Sequence, residues 1–172
     1  MERIASFTVD HNVLVPGLYL SRRDGNVVTF DLRFKKPNTG DLLTNAEMHS
    51  VEHVIATLLR NSPRKDAVVY FGPMGCQTGF YFLFDGAQLS ESEAVALVQQ
   101  VFARGAAYDG EMPGKSAAER WPGTAAGTTQ RSSRTGTRKS WSIPPGNKDF
   151  FQKQRVFLLT NGISAVILDK PL

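Results

Sequence analysis

The run most suggestive of chemistry is His49-Ser50-Val51-Glu52-His53. On a helix, side chains four apart stand on one face about a turn from each other, so both imidazoles can reach one cation while the neighbouring carboxylate serves as an acid/base. The same spacing also suits a polar surface stripe, and spacing alone leaves both readings open. A second signal is the single cysteine, Cys76, in Gly72-Pro73-Met74-Gly75-Cys76-Gln77-Thr78-Gly79-Phe80. Glycines there let backbone approach a ligand closely, and a thiol beside a cation ionises more readily. The plainer fate of a lone cysteine is to fill apolar core.

The elements that must position these groups follow from local pattern. Leu18 to Arg23 and Val27 to Phe34 alternate around Asp24-Gly25-Asn26, which predicts a β-hairpin because Gly25 takes positive φ at no steric cost. Thr44-Asn45-Ala46-Glu47 is a capping box, so a helix is expected from about Asn45 to Arg60, ended by Asn61-Ser62-Pro63. The histidine pair falls on that helix. Ala67 to Gly72 and Thr78 to Phe84 read as two more strands around Gly72-Pro73-Met74-Gly75. A second capping box, Ser90-Glu91-Ser92-Glu93, opens a helix carrying Val95, Leu97, Val98, Val101 and Phe102. The order predicts an α+β domain, an antiparallel sheet of four strands or slightly more with helices on one face.

With 172 residues, the chain suffices for one domain plus a tail. No apolar run is long enough for a membrane span and the start resembles no secretory signal, which together with one unpaired cysteine predicts a soluble, cytoplasmic protein. The net charge of +4 is unevenly placed: residues 1–119 carry 11 Lys or Arg against 14 Asp or Glu, and residues 120–172 carry 9 against 2. From Arg120 to Gly146 the chain is mostly Ser, Thr, Gly, Arg and Pro, which predicts loose coil or disorder; Val156 to Leu159 and Ile163 to Leu168, joined by Asn161-Gly162, are compatible with a short hairpin. Lacking interleaved aromatics, the basic tail reads as solvated polypeptide, and neither a nucleic-acid nor a membrane partner is expected.

Four blocks occur in register over the first part of the chain: Ser6-Phe7-Thr8-Val9-Asp10-His11, Phe30-Asp31-Leu32-Arg33-Phe34, His49 to His53, and Gly72-Pro73-Met74-Gly75-Cys76 with Thr78-Gly79. In this order they resemble S-ribosylhomocysteine lyase, the LuxS family of autoinducer-2 synthases. The resemblance continues weakly to Glu111-Met112-Pro113-Gly114, so residues 1–119 are expected to form the metalloenzyme domain. It implies that His49 and His53 bind a divalent metal, Fe2+ in the native family and often Zn2+ or Co2+ in preparations. It implies Glu52 and Cys76 as general acid/base groups, and Ser6, His11 and Arg33 in a substrate pocket shared across a homodimer. Apart from the family, Arg33 is an outward strand residue balancing Asp31, and His11 a loop histidine. The implied reaction cleaves the thioether of S-ribosylhomocysteine to homocysteine and 4,5-dihydroxy-2,3-pentanedione, the autoinducer-2 precursor, by carbonyl migration and β-elimination. A metal suits such chemistry by polarising the carbonyl and stabilising each enediolate, and two proton carriers suit hydrogens that leave one carbon and return to its neighbour.

The sequence departs from the family after Pro113-Gly114. A third metal ligand is implied from a cysteine in a Cys-Gly-Asn motif, but here the stretch reads Ser116-Ala117-Ala118-Glu119-Arg120-Trp121-Pro122, and Arg120 stands in its place. A guanidinium cannot ligate a cation, so weak metal binding and poor activity are expected. Glu119 is the nearest substitute. The abrupt change of composition at this point suggests a shifted reading frame over residues 120–172. Two other functions fit parts of the pattern: a zinc peptidase, since His-x-x-Glu-His resembles the inverted zinc-peptidase motif, and a catalytically dead binding protein with a basic tail.

Overall fold

A two-residue turn with Gly25 at φ 60° joins β1 (Gly17–Asp24) to β2 (Val27–Arg33), as alternation and the glycine predicted. The computed structural model describes residues 14–109, 112–113 and 168–169. The hairpin pairs antiparallel from Asp24 opposite Val27 to Gly17 opposite Arg33, with a bulge at Ser21. Helix α1 (Asn45–Arg60) starts at the predicted capping box: the Thr44 side chain accepts from the Glu47 amide, and Glu47 returns a carboxylate to the Thr44 amide at 2.7 Å. It ends where Asn61 caps it, two residues before Pro63. A short 3-10 turn leads into β3 (Val68–Pro73), which pairs antiparallel with β4 (Gly79–Asp85). Helix α2 (Glu91–Ala106) opens on the second capping box, Ser90 with Glu93.

The strand order is β3-β4-β2-β1-β5, so the predicted four-stranded antiparallel sheet is present with one addition. The addition is β5 (Leu168–Asp169), which lies parallel to β1 opposite Tyr19 and Leu20. Leu168 ends an apolar block expected in a short hairpin, but no local pattern announces its pairing with β1, because a two-residue parallel pairing depends on a partner far away in the chain. Apart from Leu168, the hairpin expected between residues 156 and 168, and the coil expected over residues 120–146, lie outside the described residues.

Period-two alternation decides what each face of the sheet does. On one face Val28, Phe30 and Leu32 of β2 stand opposite Phe84, Phe82 and Phe80 of β4, and all six are buried. Helices α1 and α2 cover that face with stripes at helical spacing, Met48, Val51, Ile55 and Leu58 from the first and Ala94, Val98, Val101 and Phe102 from the second. Phe71 stacks on Phe80 at 5.3 Å and Phe30 meets Phe84 edge-on at 5.0 Å. The other face of β2 carries Thr29, Asp31 and Arg33, also buried, so this strand is covered on both sides. Two charged side chains on the second face of a central strand are costly unless paired, and they lead to the site.

Candidate functional site

The α1 capping box fixes the helix phase, and that phase places His49 and His53 one above the other. Their rings lie 4.3 Å apart between centroids and within 15° of parallel, the shared face that the spacing predicted. His53 Nδ1 is 2.8 Å from the Pro113 carbonyl oxygen. A carbonyl only accepts, so Nδ1 carries the hydrogen, and in the neutral ring Nε2 holds the lone pair a metal ion needs. Such an outer contact is the usual means of orienting a histidine ligand, and the pair therefore fits a cation. Among the described residues no cluster of three or more His, Cys, Asp or Glu completes the coordination.

Glu52 sits between the histidines on the same helix, half-buried. Its charge reaches the edge strand β3, where burial first and Glu52 second push the Tyr70 phenol above its ordinary range. The Tyr70 ring lies over Gly72, where a Cβ would meet the phenol end of that exposed side chain. The turn after Pro73 is tied to α1 as well: Gln77 Nε2 donates to Asn45 Oδ1 at 2.8 Å, and the Leu43 amide donates to the Gln77 carbonyl at 2.8 Å. Cys76 is thus held on a turn anchored to the first residues of the helix that carries the histidines.

Cys76 is exposed, which removes its reading as core filler. Among the described residues its sulfur meets two groups, Arg33 Nη1 at 3.4 Å and Thr78 Oγ1 at 3.0 Å. Arg33 Nη1 also donates to Thr78 Oγ1, and Nη2 donates to Asp31 Oδ2 at 2.6 Å. The outward strand position allowed for Arg33 does not hold: Arg33 is 3% exposed and Asp31 0%. Burial works against the Arg33 charge, but Asp31 and then Cys76 outweigh it, so the guanidinium is held above its ordinary range. Register explains the room for this network. Arg33 lies opposite Gly17 and Gly79, and a Cβ on Gly79 would fall 2.1 Å from the Leu32 carbonyl oxygen. Tyr19 and Tyr81 flank Asp31 from β1 and β4. Burial and then the Asp31 charge raise the Tyr81 phenol.

Of the site residues expected from sequence, the structure brings His49 and His53 together on one helix with Glu52, and brings Arg33 to Cys76. Ser6, His11, Glu119 and Arg120 lie outside the described residues. Two participants were not singled out as site residues, Asp31 and Thr78. The signal for both was present: Asp31 shares the face of β2 with Arg33 at a spacing of two, and Thr78 follows Cys76 by two residues in the same turn.

Comparison with known proteins agrees with the motif blocks. The family model of S-ribosylhomocysteinase (LuxS) matches residues 4–138, running past residue 119, where the resembling domain was expected to end. An S-ribosylhomocysteine lyase of Desulfotalea psychrophila is 50% identical over 124 residues, covering 69% of this chain and 77% of that protein. One from Clostridium beijerinckii is 47% identical over 122 residues, covering 68% and 76%. One from Borreliella burgdorferi is 45% identical over 121 residues, covering 67% and 76%.

Proposed function

The chain belongs to the S-ribosylhomocysteinase (LuxS) family, and from that membership we propose that it is a carbon–sulfur lyase releasing homocysteine from S-ribosylhomocysteine, with 4,5-dihydroxy-2,3-pentanedione as the other product. The observation that carries this reading is the stacked His49–His53 pair, with Glu52 on the same helix, the helix that anchors the Cys76 turn. The product's use as an autoinducer-2 precursor in quorum sensing belongs to the same proposal.

His49 and His53 would hold one divalent ion, ferrous iron first and zinc or cobalt(II) as substitutes. When bound, the ion supplies Lewis-acid polarisation of a sugar carbonyl. The protein residues then have to move protons. Carbonyl migration removes a hydrogen from one carbon and returns it to the neighbour, and Cys76 Sγ and the Glu52 carboxylate are the two carriers. In the last step a carbon-bound proton is taken, the carbon–sulfur bond breaks with its electron pair leaving on sulfur, and homocysteine departs once protonated. Positioned groups of this kind each contribute on the order of 10² to 10⁴ in rate. Arg33, fixed by Asp31, offers a permanent positive charge beside Cys76. Ser6 and His11 complete the proposed substrate pocket, in a homodimer located in the cytoplasm. No helix among the described residues is long and apolar enough to cross a membrane.

The test is incubation of the full chain, supplied with ferrous ion without oxygen, with S-ribosylhomocysteine. Homocysteine and the pentanedione in equal amounts support the lyase; peptide cleavage without thiol release would support a peptidase instead.

A further inference from the structure

The proposed reaction accounts for Cys76 and Arg33 but leaves a buried hydroxyl beside them without a role. Thr78 is 2% exposed, and its backbone is clamped, since its carbonyl accepts from the Phe34 and Lys35 amides at 2.9 and 3.0 Å. The preceding Gln77 sits at φ 58°, in the left-handed region, and sets the turn that brings Thr78 back toward Cys76. A hydroxyl has one hydrogen and two lone pairs. Arg33 Nη1 can only donate, so it occupies a lone pair of Oγ1. The hydrogen then points elsewhere; Cys76 Sγ lies at 3.0 Å, a contact in which either atom can donate. Nη1 approaches the same sulfur at 3.4 Å. Two donors converging on one sulfur fix where it points.

We propose that Thr78 is a positioning residue for Cys76: its hydroxyl, locked by Arg33, donates to Sγ and holds the sulfur in place beside the guanidinium. Asp31 completes the device by fixing Nη2, so that the guanidinium is held with Nη1 toward Thr78 and Cys76. Among the described residues, the charged and titratable groups around this sulfur are Arg33 from β2, backed by Asp31, and Tyr81 from β4. The significance of the contact rests on the reading of Cys76 as a proton carrier; the contact does not.

Cys76 is the only cysteine in the sequence, so alkylation of the full chain by iodoacetamide reports on it directly, with iodide as leaving group and no need of metal or substrate. Thr78→Val should alkylate roughly three- to tenfold more slowly in the neutral part of the rate–pH profile, the loss expected for one ordinary hydrogen bond. Thr78→Ser, which keeps the hydroxyl, should stay close to the parent. Thr78→Ala carries the same expectation as Thr78→Val and serves if the valine variant does not fold. Superimposable profiles for parent and hydroxyl-free variants, or a serine variant as slow as the valine one, would overturn the proposal. Slow alkylation of Thr78→Val in a chain that releases no homocysteine upholds this contact while removing the lyase reading. Homocysteine release with unchanged alkylation does the reverse.

Discussion

Arg33 Nη1 lies 3.4 Å from Cys76 Sγ across 43 residues of sequence, and the same guanidinium is held from behind by Asp31 at 2.6 Å. The ion pair is buried on the sheet face away from the helices, where removing one partner strands the other.

Arg33→Met should therefore cost about 3–5 kcal/mol in urea unfolding, because it leaves the Asp31 carboxylate buried without its cation. Adding Asp31→Leu should recover most of that stability, since an apolar pair needs no desolvation of charge. Cys76 alkylation should remain slow in the double variant. Recovery of both would make the pair purely structural; recovery of stability alone assigns Arg33 to the cysteine.

The stacked histidines should be the dominant cation site. His53→Ala is expected to abolish binding of cobalt(II), followed by its visible absorption, and His49→Ala likewise. Arg120→Cys should raise affinity by tenfold or more and add a sulfur-to-metal absorption band, because it restores a thiolate among the ligands. Equal cobalt binding by parent and His53→Ala would place the cation elsewhere.

Glu52→Gln and Cys76→Ser keep the shape of each side chain and remove its proton-carrying capacity. Each should lower homocysteine release by about 10² to 10⁴, with the far-ultraviolet circular dichroism of the parent retained. A variant within twofold of the parent is not a proton carrier.

Alkaline pH should destabilise the fold through Tyr81. Its folded pKa is raised, by burial first and by Asp31 next. The neutral phenol is the favoured form in the fold, so the associated stability is intact below the unfolded value of about 10 and is lost as pH rises through the folded value. Tyr81→Phe should flatten the decline of urea midpoints between about pH 9 and 11. An unchanged slope would remove Tyr81 from that account.

Much of this was legible locally. Thr44 with Glu47 and Ser90 with Glu93 set both helix starts at the expected residues, since a capping box needs only a few neighbours. Gly25 marked the hairpin turn for the same reason. What local pattern does not carry is pairing across distance. The parallel contact of Leu168–Asp169 with β1 is one case. Arg33 is another: its spacing from Asp31 fits an exposed ion pair equally well, and only the closure of β4 on β2, with Gly79 opposite, buries it and brings Thr78 and Cys76 alongside. The carbonyl of Pro113, which orients His53 from 60 residues away, is a third.

The most direct test of the whole account is thiol release from S-ribosylhomocysteine in deuterium oxide by the ferrous parent chain and by Arg120→Cys. The account predicts homocysteine from both, at least tenfold faster with the restored thiolate, and deuterium at carbon in the pentanedione, because Glu52 and Cys76 exchange protons with solvent. No homocysteine from either chain, with the metal confirmed bound at His49 and His53, would contradict it.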